Sequence, residues 1–140
     1  MVNIFFEETE ILDLDPEFFV SWLEVLCARE SAELGELSLI FCSDDYLLKV
    51  NQDYLNHDYY TDIISFDYSE QTISGDLFIS IDRVRDNAKK LSVDFAEELN
   101  RVVAHGTLHL LGYKDKTEKE QLEMRGKESF ALSLIVSRET

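Results

Sequence analysis

The sequence predicts an α+β fold of about four strands and about five helices. Three observations carry that prediction. Short runs rich in β-branched and aromatic residues alternate with longer segments whose apolar residues recur at helical spacing. Two of the short runs, 61–66 and 75–80, are separated only by a polar link, which makes them antiparallel neighbours. The chain has 140 residues, 45% hydrophobic, with nine Phe, six Tyr and one Trp, enough to bury the core of one domain spanning 1–140.

In chain order, residues 2–8 are short and rich in Ile and Phe, which suits a first strand buried on at least one face. Asp15-Pro16 reads as an N-cap followed by proline at the first helical position. Phe18, Phe19, Trp22, Leu23, Val25 and Leu26 then recur at helical spacing, predicting a helix over about 16–32. Gly35 breaks it, and 36–42 alternates as a strand. Ser43, with Asp44 and Asp45 behind it, caps a helix that turns Leu47, Leu48, Val50 and Tyr54 inward. Residues 56–60 are a polar and aromatic loop, 61–66 a strand, 67–74 a turn and 75–80 the fourth strand. A helix over about 81–90 follows. Ser92 is the expected N-cap of the next helix, with Asp94 and Glu97 in its first turn. A last helix over about 117–136 closes the domain, its Leu122, Met124, Phe130, Leu132, Leu134, Ile135 and Val136 read as core contacts.

The stretch from His105 to Asp115 carries the chemistry. Only three histidines occur in the chain, and two of them, His105 and His109, stand four apart within an apolar helix. That spacing puts both imidazoles on one face, with Cβ atoms about 5–6 Å apart, where they can share an ion. Val102, Val103, Leu108, Leu110 and Leu111 bury the helix, so an unpaired imidazole there would be costly. Gly112 is the natural residue to end it and turn the chain back, bringing Asp115 toward the pair. His105, His109 and Asp115 suit zinc, which in catalytic sites takes three protein ligands and a water.

The net charge is −16 and is unevenly spread. Residues 1–70 hold 2 basic and 17 acidic side chains, a net of −15, whereas residues 71–140 hold 11 and 12, a net of −1. The half with the histidine pair is the one that would tolerate a polyanion, although this is not the footprint of a high-affinity nucleic-acid binder. Cys27 and Cys42 lie in apolar surroundings with no Cys-x-x-Cys spacing and read as reduced core thiols. No apolar run approaches the ~18–20 residues of a membrane span, and the start lacks a basic n-region and cleavage site, so a cytoplasmic protein without membrane contact is expected.

With these residues assembled, the chain resembles the YbeY family of metal-dependent endoribonucleases implicated in ribosomal RNA maturation. The family signature H-G-x-L-H-L-x-G-Y-D-H appears as His105-Gly-Thr-Leu-His-Leu-Leu-Gly-Tyr113, followed by Lys114-Asp115. A second segment matches at Asn51, Tyr54-Leu55, His57-Asp58 and Thr61-Asp62 ahead of Ile64-Ser65-Phe66, and Gly75-Asp76 through Ser80 is similar to the family's Gly-Asp-Ile strand. Two departures stand out. Asp115 replaces the usual third histidine, and Leu55 stands where the family commonly has an arginine serving the phosphodiester chemistry, leaving His57 as the nearest substitute.

The resemblance implies a mixed sheet of about four strands packed by about five helices, with the metal helix bordering a cleft. It also implies single-strand-directed RNA hydrolysis in rRNA processing, with rRNA or pre-ribosomal particles, including their ribosomal proteins, as partners. One zinc ion would polarise a phosphoryl oxygen or lower the pKa of its bound water from 15.7 toward about 7. That metal-bound water would be the attacking group, with no side-chain base identified. Expected substrate contacts are His57, Lys114 and Lys116. Protease zincins place a glutamate directly after the first histidine, but here that residue is Gly106, which argues against a peptidase. The main rival is a ribosome-associated assembly factor with a structural metal; a weaker one is a small-molecule or peptide hydrolase.

Overall fold

The structure, a computed structural model, describes residues 1–69 and 71–139, and side chains as far as residue 135. Glu70, in the expected 67–74 turn, and the Val136 side chain, expected in the core, lie outside that description. The element order is β1 (Val2–Glu7), α1 (Pro16–Arg29), β2 (Leu34–Cys42), α2 (Asp44–Leu55), β3 (Ile63–Asp67), β4 (Ile73–Ser80), α3 (Ile81–Leu91), α4 (Phe95–Leu110) and α5 (Glu118–Glu139). The sheet runs β1-β2-β4-β3 and is mixed: β1 and β2 are parallel, as are β2 and β4, while β3 pairs antiparallel with β4. The α+β class, the mixed four-stranded sheet and the antiparallel 61–66/75–80 pairing are all present.

Strand alternation divides the core between two faces. Leu37, Leu39, Phe41, Leu77 and Ile79 point into the larger cluster, together with residues of α1, α4 and α5. Cys42 and Ile64 join Leu47 and Val50 of α2 in a smaller cluster, against which Phe66 and Phe78 also pack. Trp22 is fully buried and its indole N–H donates to the Ala131 carbonyl at 2.8 Å, which ties α1 to α5. Both cysteines are buried and free, and burial first pushes their thiols up, to about 11 for Cys27 and about 12 for Cys42. Neither is disposed to act as a thiolate.

Several local expectations are corrected. The first helix stops at Arg29 because Ser31 takes φ 58° and the Ala32 N–H bonds back to the Cys27 carbonyl at 2.8 Å. Ser92 does not cap α4: it is left-handed at φ 56° and terminates α3, so the N-cap falls to Asp94. Tyr54 is not inward but 74% exposed, because the last turn of α2 runs past edge strand β3 and the ring only meets Phe66 edge-on. On α5, Leu122 and Phe130 face solvent; the inward stripe is Met124, Glu128, Ala131 and Leu134, at helical spacings of four and three, and it contains a carboxylate.

Candidate metal centre

Helix α4 packs across β3 and β4 with its last two turns at the sheet edge. Its close approach runs through Gly106, where a Cβ would stand 2.6 Å from Ile63 Cδ1 and 2.9 Å from Leu77 Cδ2. Any side chain in the zincin position would therefore have to displace the tips of Ile63 and Leu77. The C-terminus is a Schellman motif: Tyr113 N–H donates to the Leu108 carbonyl and Gly112 N–H to the His109 carbonyl, each at 3.0 Å. Gly112 supplies the required positive φ of 107°. The chain then turns back, and Thr117 and Glu120 close a reciprocal capping box that starts α5 and fixes the far end of the loop bearing Asp115.

The outcome is a triangle of ligand atoms. His105 Nε2 and His109 Nε2 are 3.0 Å apart, and Asp115 Oδ2 lies 3.1 Å from the first and 3.4 Å from the second. The tautomers follow from the other ring nitrogens. His109 Nδ1 donates to the Tyr113 carbonyl at 2.9 Å, and His105 Nδ1 donates to the Glu128 carboxylate at 2.6 Å. In its neutral form, the one that can ligate a metal, each ring therefore turns the lone pair of Nε2 toward the other ring and toward a carboxylate oxygen. Three electron-pair donors so close repel one another unless a cation stands among them. Tetrahedral ligands at about 2.0–2.2 Å from zinc stand about 3.3–3.6 Å from each other, close to the observed edges. The three residues fit a metal ion on both chemistry and spacing.

A second layer surrounds them that the sequence did not disclose. Glu128 bonds His105 and accepts from Arg101 at 3.0 Å; burial alone would raise its pKa, but these two partners hold it below the ordinary carboxylate range. Burial likewise disfavours charge on His105, yet Glu128, Asp62 and Asp115 together hold its pKa above the usual imidazole value. Asp62 and Glu98 are both raised, primarily by burial, with Asp62 also acting on Glu98. One Glu98 carboxylate oxygen is buried without a hydrogen-bond partner. Glu98 carries one sequence signal, a charged residue on the otherwise apolar face of the histidine helix, whereas Glu128 carries none until α5 docks.

The triad opens into a cavity of about 380 Å³ that Asn51, Leu55, His57, Tyr59, Asp62 and Lys116 also line. His57 and Lys116 are therefore brought to the same cavity as His105, His109 and Asp115. Lys114 is not: it lines a separate hollow with Glu30, Tyr113 and Glu120, on the other side of the return loop. Of the three expected substrate contacts, Lys114 is thus the one that does not share the cavity of the triad. Leu55 does border the cavity, so where the family's arginine would project there is an apolar side chain.

Comparisons with known proteins agree with the geometry. A family model described as Endoribonuclease YbeY matches residues 6–135. Among similar proteins, the one named Endoribonuclease YbeY from Cytophaga hutchinsonii is 57% identical over 116 residues, 81% of each chain. Its namesake from Porphyromonas gingivalis is 44% identical over 99% of this chain and 91% of its own. The namesake from Flavobacterium johnsoniae is 48% identical over 96% and 97% respectively. The solution structure of TM1509 from Thermotoga maritima superimposes with a TM-score of 0.67 at 25% identity, covering 99% of this chain and 91% of that one.

Proposed function

Since this chain belongs to the endoribonuclease YbeY family, we propose that it is a zinc-dependent, single-strand-directed endoribonuclease acting in rRNA processing, with rRNA or pre-ribosomal particles as its partners. The observation that carries the metal dependence is the convergence of the His105, His109 and Asp115 lone pairs at 3.0–3.4 Å within a cleft. These three would hold the ion, which when bound supplies a Lewis acid for a phosphoryl oxygen and acidifies water. Glu128 fixes the His105 ring and its tautomer, as the Tyr113 carbonyl does for His109, so that both Nε2 atoms stay available. Lys116 and His57, on the walls of the same cavity, are placed to meet phosphate oxygens. No side chain is assigned as the base.

A second reading, a ribosome assembly factor with a structural metal, draws on one observation: Leu55 leaves that wall of the cavity without a guanidinium. The two separate on one assay. Purified, metal-loaded protein is expected to cut a single-stranded rRNA fragment and to leave the same sequence intact as a duplex. Intact single-stranded RNA in the presence of fully loaded protein would favour the assembly reading.

A further inference from the structure

The part of the loop from α2 to β3 that spans residues 56–60 offers no ligand to the triad, yet it is held at successive residues. Asn56 ends α2 in the left-handed region at φ 55°. The next N–H, of His57, donates to the Asn51 carbonyl at 3.1 Å, and the Asn51 side-chain amide donates to the Tyr59 carbonyl at 2.9 Å. Between them, Gln52 donates to the Asp58 carboxylate at 2.6 Å. Asn51 is only 1% exposed, so it is a buried polar residue whose hydrogen bonds are spent on this loop.

This bracing displays aromatic surface. Tyr59 is 56% exposed, and the His57 ring stacks on it with centroids 5.2 Å apart and planes inclined by 21°. The Tyr59 hydroxyl and His57 Nδ1 share a hydrogen bond of 3.0 Å that locks the pair. Each ring covers one face of the other and remains exposed. Both residues line the cavity that holds His105, His109 and Asp115, with Lys116 on the same wall set.

We propose that the His57–Tyr59 pair is a stacking platform for one nucleobase of single-stranded RNA, seated beside the phosphate that lies at His105, His109 and Asp115. The inference rests on the RNA-cleaving reading above and adds how the substrate is held. An unpaired base offers a free π-face to an aromatic ring, whereas a base in a duplex has both faces covered by its neighbours. The platform thus selects for single strands without reading sequence. It also answers an electrostatic difficulty: a chain of net charge −16 gains little from attracting phosphates, and stacking supplies affinity that does not depend on charge. Preorganisation by Asn51 lowers the ordering cost of binding.

The test is equilibrium binding of the zinc-loaded full chain to an eight-nucleotide single-stranded RNA and to an oligonucleotide of the same length with abasic riboses. Tyr59→Ala is expected to weaken binding of the first by about tenfold, the order of one lost base–aromatic stack, and to leave the second and the zinc content unchanged. Tyr59→Phe keeps the ring and is expected to bind close to wild type. If Tyr59→Ala binds the RNA as wild type does, or weakens both oligonucleotides equally, the platform is overturned. Parallel cleavage assays separate the two levels. Cleavage by wild type with no dependence of binding on Tyr59 overturns the platform alone, and failure of wild type to bind either oligonucleotide overturns the functional reading with it.

Discussion

His109→Ala is expected to lose stoichiometric zinc and to cut RNA on the order of 10³-fold more slowly, since a metal ion supplies several kcal/mol of transition-state stabilisation. The substitution removes one corner of the 3.0–3.4 Å triangle, because among the described residues His109 bonds the adjacent Tyr113 carbonyl and otherwise faces His105 and Asp115. His109 tests the ion more cleanly than His105, whose ring also supports the Glu128–Arg101 bridge. Metal analysis and paired melting curves check it: wild type should melt higher with zinc than with EDTA, because an ion that binds only the native state stabilises it, and the variant should ignore both. A variant that keeps one zinc per chain would remove His109 from the ligand set.

Glu128→Ala has the second-largest expected effect, a loss of about 10- to 100-fold in zinc affinity, the usual consequence of removing a group that orients a ligating histidine. Glu128 is 9% exposed and makes two bonds at once, to His105 Nδ1 at 2.6 Å and to Arg101 at 3.0 Å. Without it, the His105 ring can rotate or move its proton to Nε2, which withdraws the lone pair from the triangle. Glu128→Gln retains an acceptor for Nδ1 but not the charge, so its loss should be smaller than that of alanine. Competitive zinc titration of the three proteins measures this order, and equal affinities across them would show that His105 needs no such support.

The parts of the site that were legible in the sequence are those set by local geometry. Histidines four apart must share a helix face, and Gly112 permits the Schellman turn that returns Asp115 to them. The antiparallel pairing of β3 and β4 was legible for the same reason, since a short link leaves few alternatives. What was not legible depends on contacts between distant segments. Glu128 lies 23 residues from His105, and nothing local distinguishes it from the other glutamates of α5 until the helix docks. Leu122 and Phe130 were misplaced because an apolar residue on a helix does not announce which stripe faces the sheet, and here the stripe chosen carries Glu128. Ser92 illustrates a competition between two helix ends, in which terminating α3 prevailed over capping α4. Lys114 lies apart for a comparable reason: the return loop has two sides, and its neighbours Asp115 and Lys116 take the side of the histidine pair.

The central claim is that one ion, held by His105, His109 and Asp115, makes this chain an RNA-cleaving hydrolase. It is tested most directly by stripping the purified protein of metal and following cleavage of a single-stranded rRNA fragment as zinc is added back. The rate should be negligible at the start, rise in proportion to zinc and level off at one ion per chain. Full activity in the stripped protein, or a rate that stays at background after one ion has bound, would contradict the claim.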